Sequence, residues 1–263
     1  MVNKYLKKIL HTIKSGKYFL FPSSFSFYML FAIVPAFTCL ELLLNVLNVD
    51  NSILFKYIYA FLPDSSSNEL VDFLSQTPTI GDGINIIITF IVSMFVISRG
   101  LFMFMNVSKT LYAHKDDMNI TKKIIYSMFL AVSFIFSLFM IVILDFLLSS
   151  FINDYNEVFS LLKYLLIFIV LMFSLTLLYH LGSNKRVKLK NSYLGALIAS
   201  LGITLSLFLF NIYTVYLVNY NSTYGPLSWL IILLVLFRII STFIYVGLII
   251  NVINYKEKRL VVY

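Results

Sequence analysis

Charge is what this chain has least of. Asp, Glu, Lys and Arg make up 12% of its 263 residues, against 60% hydrophobic ones and a mean hydropathy of +0.91. An average soluble domain carries roughly a quarter charged residues, so the polar surface needed to coat a water-soluble globule of this size is missing, which argues against a cytosolic enzyme. There is a single cysteine, Cys39, so neither an intrachain disulfide framework nor a Cys cluster for zinc can be built. Cys39 reads as a small buried apolar residue. The three histidines, His11, His114 and His180, are scattered without HExxH spacing, and Asp116-Asp117 is the lone acidic doublet. No Walker A loop or GxSxG elbow is present, and Gly81-Asp82-Gly83 reads as a turn rather than a phosphate-binding loop. No catalytic, cofactor-binding or metal-ligating residues are therefore assigned. A small-x-small cleavage site after the first apolar run is also lacking, and that run is too long for a signal peptide, so it is read as a retained anchor.

What the chain has instead is a series of apolar stretches of about 20 residues, each long enough to cross a bilayer. They fall at about 25–47, 84–105, 124–148, 161–181, 193–218 and 227–253. The fold class is all-α: a polytopic bundle of six transmembrane helices over residues 21–255, with a segment 1–20 before it and a tail 256–263 after it. In residues 1–20, Leu6, Ile9, Leu10 and Ile13 share one helical face and lysines surround it. Two readings of this segment stand together, an amphipathic helix lying in the headgroup region and a solvated approach to the first span. Pro35 interrupts the first span and predicts a kink. The apolar run 53–63 is too short to cross and predicts one or two short interfacial helices ending at Pro63, while Ser65–Glu69 offers a helix N-cap with an acidic first turn.

The basic residues account for the net charge of +8. Five lysines precede the first span, Lys109, Lys115, Lys122 and Lys123 follow the second, Lys185, Arg186, Lys188 and Lys190 follow the fourth, and Lys256, Lys258 and Arg259 lie in the tail. Sixteen of the 20 basic residues thus share one side, and Lys56 and Lys163 lie on the other with most of the acids. The positive-inside rule then puts both termini in the cytoplasm. Topology absorbs the basic excess, leaving no separate basic surface for nucleic acid. The 26 Phe and 18 Tyr are likewise read as codon bias and interfacial aromatic belts rather than base-stacking platforms.

Four formal charges fall within or at the ends of the spans: Glu41, Arg99, Asp145 and Arg238. An arginine at mid-depth is costly in lipid, so Arg99 and Arg238 are expected to point into the bundle, with Glu41 close enough in depth to pair with Arg238. The functional reading is a polar cavity where two arginines meet a phosphate or carboxylate; the structural one is an ion-paired helix contact, with Asp145 wet at the interface. His180 is expected at the surface. Tyr213, Asn221 and Tyr224 join the candidate cavity residues, because the uncharged loop 219–225 carries amides, hydroxyls and phenols that must be hydrogen-bonded. It reads either as a cap on the cavity or as a tight hairpin.

Three blocks carry a resemblance that covers about 19–254. They are Phe27-Tyr28 leading to Pro35; Ser98-Arg99-Gly100 followed by Tyr112; and Gly195, Phe210, Tyr213, Asn219-Tyr220-Asn221, Tyr224-Gly225, Gly247 and Asn251. In these the chain resembles the YihY/BrkB family of bacterial inner-membrane proteins, historically mislabelled as ribonuclease BN. It departs from the family pattern at Ala32, Lys109, Leu236 and Ile249, the last standing where an acidic residue is frequent. The resemblance implies a protein of the bacterial cytoplasmic membrane with about six helices, some of whose relatives are linked to virulence, serum resistance or envelope-lipid export. A transporter-like or lipid-handling role is the reading favoured, with anionic lipid or envelope precursor as partner. A non-catalytic envelope scaffold is the alternative, and a membrane enzyme comes third. Cysteine labelling in intact cells and inverted vesicles tests the topology: Lys188→Cys should react from the cytoplasmic side, and reaction from outside would overturn the six-span arrangement.

Overall fold

The computed structural model describes residues 20–47, 49, 51–61, 67–68, 71–72, 83–113, 119–151, 157–183, 187–217 and 227–260. The helices are α1 (Phe21–Val46), α2 (Ser52–Phe61), α3 (Gly83–Leu111), α4 (Ile120–Phe151), α5 (Glu157–Gly182), α6 (Tyr193–Leu217) and α7 (Leu227–Leu260), with a 3-10 turn at Leu189–Asn191. No strand occurs among the described residues. All but α2 are long and apolar enough to cross a membrane.

The six spans expected from the apolar runs are therefore present, and several extend further. The ladder continues wherever the chain can keep its backbone N–H and C=O groups paired, and a hydropathy minimum does not stop it. Thus α3 runs to Leu111, and α7 continues unbroken through Lys256, into the stretch read as a tail. At about 1.5 Å per residue, α7 is roughly 50 Å long against roughly 30 Å of hydrocarbon. α2 supplies a short helix in the 53–63 run. Residues 1–19, Pro63, the Ser65-Ser66 start of the capping run, Gly81-Asp82 and the loop 219–225 lie outside the described residues.

Inside apolar helices the hydroxyls have few partners, and most return to their own backbone. Ser26, Ser98, Ser127 and Ser200 donate to the carbonyl three residues back, and Thr38, Thr176, Thr204 and Ser206 to that four back. These bonds satisfy the hydroxyl without linking helices. Ser174 is different, donating across to Ser137 Oγ at 2.7 Å and tying α5 to α4.

The six long helices form a closed ring of neighbours: α1 packs on α3 and α7, α3 on α4, α4 on α5, α5 on α6, and α6 on α7. Near the start of α1, Phe21 stacks with Phe25 at 5.3 Å and lies 5.3 Å from Tyr245 of α7, while Phe104 of α3 sits 6.2 Å from both phenylalanines and 6.0 Å from Tyr179 of α5. Four helices thus share one aromatic core at the end of the bundle where α1 begins, called here the basic end.

The tightest packing is between α6 and α7. A Cβ on Gly195 would collide with the Gly247 carbonyl oxygen, and one on Gly247 would lie 2.5 Å from both the Gly195 carbonyl oxygen and the Tyr179 hydroxyl. Only glycine lets two backbones approach this closely, which in lipid is a main source of helix association. Gly182 is more forgiving, since its added Cβ would meet the edge of the Phe104 ring, and a ring can rotate away. Gly195→Ala is therefore expected to destabilise by about 1 to 3 kcal/mol through overpacking, and Gly182→Ala by less. Thermal unfolding of the purified variants in one detergent checks the order; a Gly195→Ala protein melting with the parent would contradict the close crossing.

Candidate functional site

Chain direction alternates through the ring, so α3 and α7 both run antiparallel to α1. Two contacts set the registers. The position of a Cβ on Gly100 lies 3.1 Å from Tyr28 Cβ, and Ser241 Oγ lies 3.5 Å from Met29 Sδ. Arg99 neighbours Gly100, and Arg238 precedes Ser241 by three residues, about 4.5 Å along the axis. The two membrane arginines consequently sit within one helical turn of the same depth.

They do not point into the bundle: both side chains are exposed. Arg99 lies at the end of an exposed stripe on α3, its guanidinium 4.4 Å from the centre of the Phe95 ring. Arg238 belongs to the exposed stripe of α7 with Ile231, Val235, Ile239 and Thr242. The reason is rotational. Gly100 and Ser241 mark the sides of α3 and α7 that meet α1, and by the 3.6-residue turn Arg99 stands about 100° and Arg238 about 60° away from them, toward the outer surface. Because α1 stands between the helices that carry them, the two guanidinium groups occupy opposite flanks of α1 and do not converge on one central anion.

Glu41 does not pair with Arg238. It is 2% exposed in the half of α1 away from the basic end, where Asn51 Nδ2 approaches Glu41 Oε1 at 3.5 Å and donates to Asn45 Oδ1 at 2.9 Å. Glu41 lies about nine residues beyond the level of Arg238 on α1, roughly 13 Å along the axis, and a carboxylate enclosed by its own helix bundle cannot reach an outward-facing guanidinium. Asp145 and Tyr213 are half-buried, and both make polar or ring contacts; Asn221 and Tyr224 lie outside the described residues. Cys39 is fully buried, as its apolar setting suggested.

A second polar site lies at the basic end. Gly195 N–H, one of the N-terminal donors that no turn of α6 can satisfy, donates to Asn251 Oδ1 at 2.8 Å, while Asn251 Nδ2 donates to the Ser192 carbonyl at 3.0 Å. Asn251 of α7 thus caps α6 from another helix. Ser192, at the N-cap position where its own hydroxyl would ordinarily accept that N–H, is left with its buried Oγ without a hydrogen-bond partner among the described residues. Beside this cap, the Tyr179 hydroxyl donates to the Ile244 carbonyl at 2.9 Å, and Tyr112 meets Tyr255 edge-on at 5.4 Å. Burial, and then the neighbouring Tyr255 phenol, push the Tyr112 hydroxyl well above the usual phenol range, so it stays protonated.

Two side chains of this end differ from the sequence reading. His180 is half-buried, its Nδ1–H donating to the Val187 carbonyl at 2.6 Å, which holds the turn between α5 and α6. Lys109, counted as a loop residue, occupies the last turn of α3 and is 5% exposed.

No group of three or more His, Cys, Asp or Glu positioned to hold a metal ion occurs among the described residues. What the arrangement offers is charge recognition at the outer surface and rigid packing inside. An exposed arginine at helix mid-depth costs roughly 2.5 to 3.5 kcal/mol on insertion scales, a cost that an anion can relieve.

Fold and site together define a polytopic α-helical membrane protein with six spans and a pair of outward-facing arginines at one depth. The family model described as virulence factor BrkB matches residues 9–260, and the chain belongs to that family. It is similar to a Bacillus subtilis (strain 168) protein named putative ribonuclease-like protein YfkH, with 32% identity over 92 residues, covering 35% of this chain and 34% of that relative. The match thus spans about a third of the relative's length. No solved structure matches the chain.

The sequence blocks behind the family resemblance make two contacts in the fold. Tyr28 of the first touches Gly100 of the second, and Gly195, Gly247 and Asn251 of the third form the α6–α7 crossing. The cap makes a specific expectation. Asn251→Ala should destabilise by about 1 to 3 kcal/mol through its lost buried bonds, and Ser192→Ala alone by little. The double variant should lose more than the two combined, because the Ser192 hydroxyl takes over the Gly195 N–H when the amide is gone. Additive unfolding midpoints would show that the hydroxyl cannot substitute.

Proposed function

We propose that this protein is a transporter-like membrane protein of the bacterial inner membrane that handles an amphipathic anion, an anionic lipid or envelope precursor, and performs no catalysis. The observation that carries this reading is the placement of Arg99 and Arg238, exposed at one depth on the two helices that flank α1. A guanidinium presents paired donors that match phosphate or carboxylate oxygens, and the membrane interior around it supplies a setting for acyl chains. In the orientation expected from the basic segments, the lysine-rich rim would gather anionic headgroups at the inner leaflet. Passage would then be passive or gradient-driven, since the chain has no nucleotide-binding loop.

The name of the Bacillus relative points to a different chemistry. In this chain the acidic doublet Asp116-Asp117 is the residue pair that a nuclease reading would have to use. Reconstitution in liposomes containing labelled anionic lipid separates the readings. Lipid movement should exceed that in empty vesicles and fall severalfold with Arg238→Gln in protein of unchanged melting temperature. Movement equal to empty vesicles would favour a non-catalytic envelope scaffold. Cleavage of RNA by the purified protein, abolished by Asp116→Asn/Asp117→Asn, would instead establish the nuclease.

A further inference from the structure

α1 changes surroundings at Pro35. Beyond the proline, Thr38 to Leu42 and Leu44 are all buried, although these positions point in every direction around the helix. Before it, Phe27, Tyr28, Phe31 and Val34 are 51%, 40%, 58% and 41% exposed. The outer half of α1 is enclosed in the bundle, and its half nearer the basic end forms a ridge on the outer surface, with Phe27 and Phe31 edge to face at 4.7 Å.

Each flank of this ridge carries one arginine. On the α3 side, Tyr28 packs on Gly100 and Arg99 follows directly, above the Phe95 ring. On the α7 side, Met29 meets Ser241, and Arg238 lies one turn further from the basic end. Apart from Thr242, whose hydroxyl donates to the Arg238 carbonyl, the exposed residues around both arginines are apolar, with Ile91, Val92 and Phe95 on α3 and Ile231, Val235 and Ile239 on α7. None of the exposed residues described on the three stripes is acidic.

We infer that the α3–α1–α7 face docks anionic phospholipid from the membrane, the lipid phosphate on Arg99 in the α1–α3 groove and on Arg238 in the α1–α7 groove, with acyl chains along the Phe27, Phe31 and Val34 ridge. This rests on the reading of the protein as a handler of amphipathic anions and names the anion and its place. Charge complementarity selects the occupant. A second copy docking through the same face would bring two more arginines and no acid, whereas a lipid phosphate supplies the missing negative charge and matches the guanidinium fork. The Phe95 ring holds the face of the Arg99 guanidinium and leaves its N–H edge free to donate. The depth has meaning as well. Arg99 stands at the middle of the apolar span Ile87–Leu111, and a headgroup is at mid-depth only while it passes between leaflets. The face is therefore a lateral path along the outside of the bundle.

The test measures binding apart from movement. Full-length protein in nanodiscs of phosphatidylcholine with a minor fraction of diazirine-bearing phosphatidylglycerol is irradiated and its crosslinked peptides are mapped. Crosslinks should concentrate on residues 27–34, 91–103 and 231–242, and excess unlabelled phosphatidylglycerol should suppress them where phosphatidylcholine does not. Arg99→Gln and Arg238→Gln should each reduce labelling of their own flank roughly five- to tenfold, about what loss of a charge-assisted contact allows, while Arg→Lys retains most of it. Labelling spread evenly over α4 and α5, or unchanged by both glutamine variants, would overturn the inference, as would suppression by inorganic phosphate equal to that by the lipid. If a glutamine variant fails to fold, the parent protein's crosslink map still decides. Binding at this face without lipid movement would sink the transport reading and leave the site standing; movement without any preference for these flanks would do the reverse.

Discussion

A span in hydrocarbon has no water to complete its hydrogen bonds, and the rest of this molecule depends on that constraint. Each long helix closes its own backbone ladder, and hydroxyls such as Ser26, Thr38 and Ser206 fold back onto carbonyls of the preceding turn. Little polar attraction then remains between helices, so association rests on close packing. Gly195 and Gly247 supply the closest approach, and the start of α6 is capped by Asn251 from the neighbouring helix. Contact and cap reinforce one another: the glycines bring α6 and α7 near enough for the amide to reach, and the amide holds them in register.

The same constraint makes the arginines informative. Apolar packing explains the aromatic core of Phe21, Phe25, Phe104, Tyr179 and Tyr245, which joins four helices at one end. It offers no reason for guanidinium groups on the outer stripes of α3 and α7. Since α1 separates them, they occupy two lateral positions rather than one central pocket, and the polar interior expected from the sequence is replaced by a polar exterior. The enclosed Glu41 belongs to a separate environment in the half of α1 away from the basic end, beside Asn45 and Asn51.

The first helix connects these observations. With Pro35 near its middle, α1 leaves the surface of the bundle and becomes enclosed by it, so a single helix forms both an exposed ridge and part of the buried core. A chain of the BrkB family built in this way presents aromatic and cationic groups to the membrane while its interior is packed.

Length and composition alone determined the class of the fold. Runs of about 20 apolar residues have few other stable states than spanning helices, so the six spans were legible within a few residues at most ends, as was the burial of Cys39. The residues of the α6–α7 crossing stood out in the family resemblance, but their chemistry did not: a glycine reads the same whether it faces lipid or a partner backbone. Depth along a helix follows only loosely from counting residues: counting placed Glu41 near enough to Arg238 to pair, whereas the contacts of Gly100 with Tyr28 and of Ser241 with Met29 set the two arginines within one turn of each other and leave Glu41 about nine residues away. Facing does not follow, because these helices are apolar on every side and no hydrophobic stripe marks an inner face. Only the packing of α1 between α3 and α7 decided that the two arginines look outward on opposite flanks and that Glu41 is enclosed away from them.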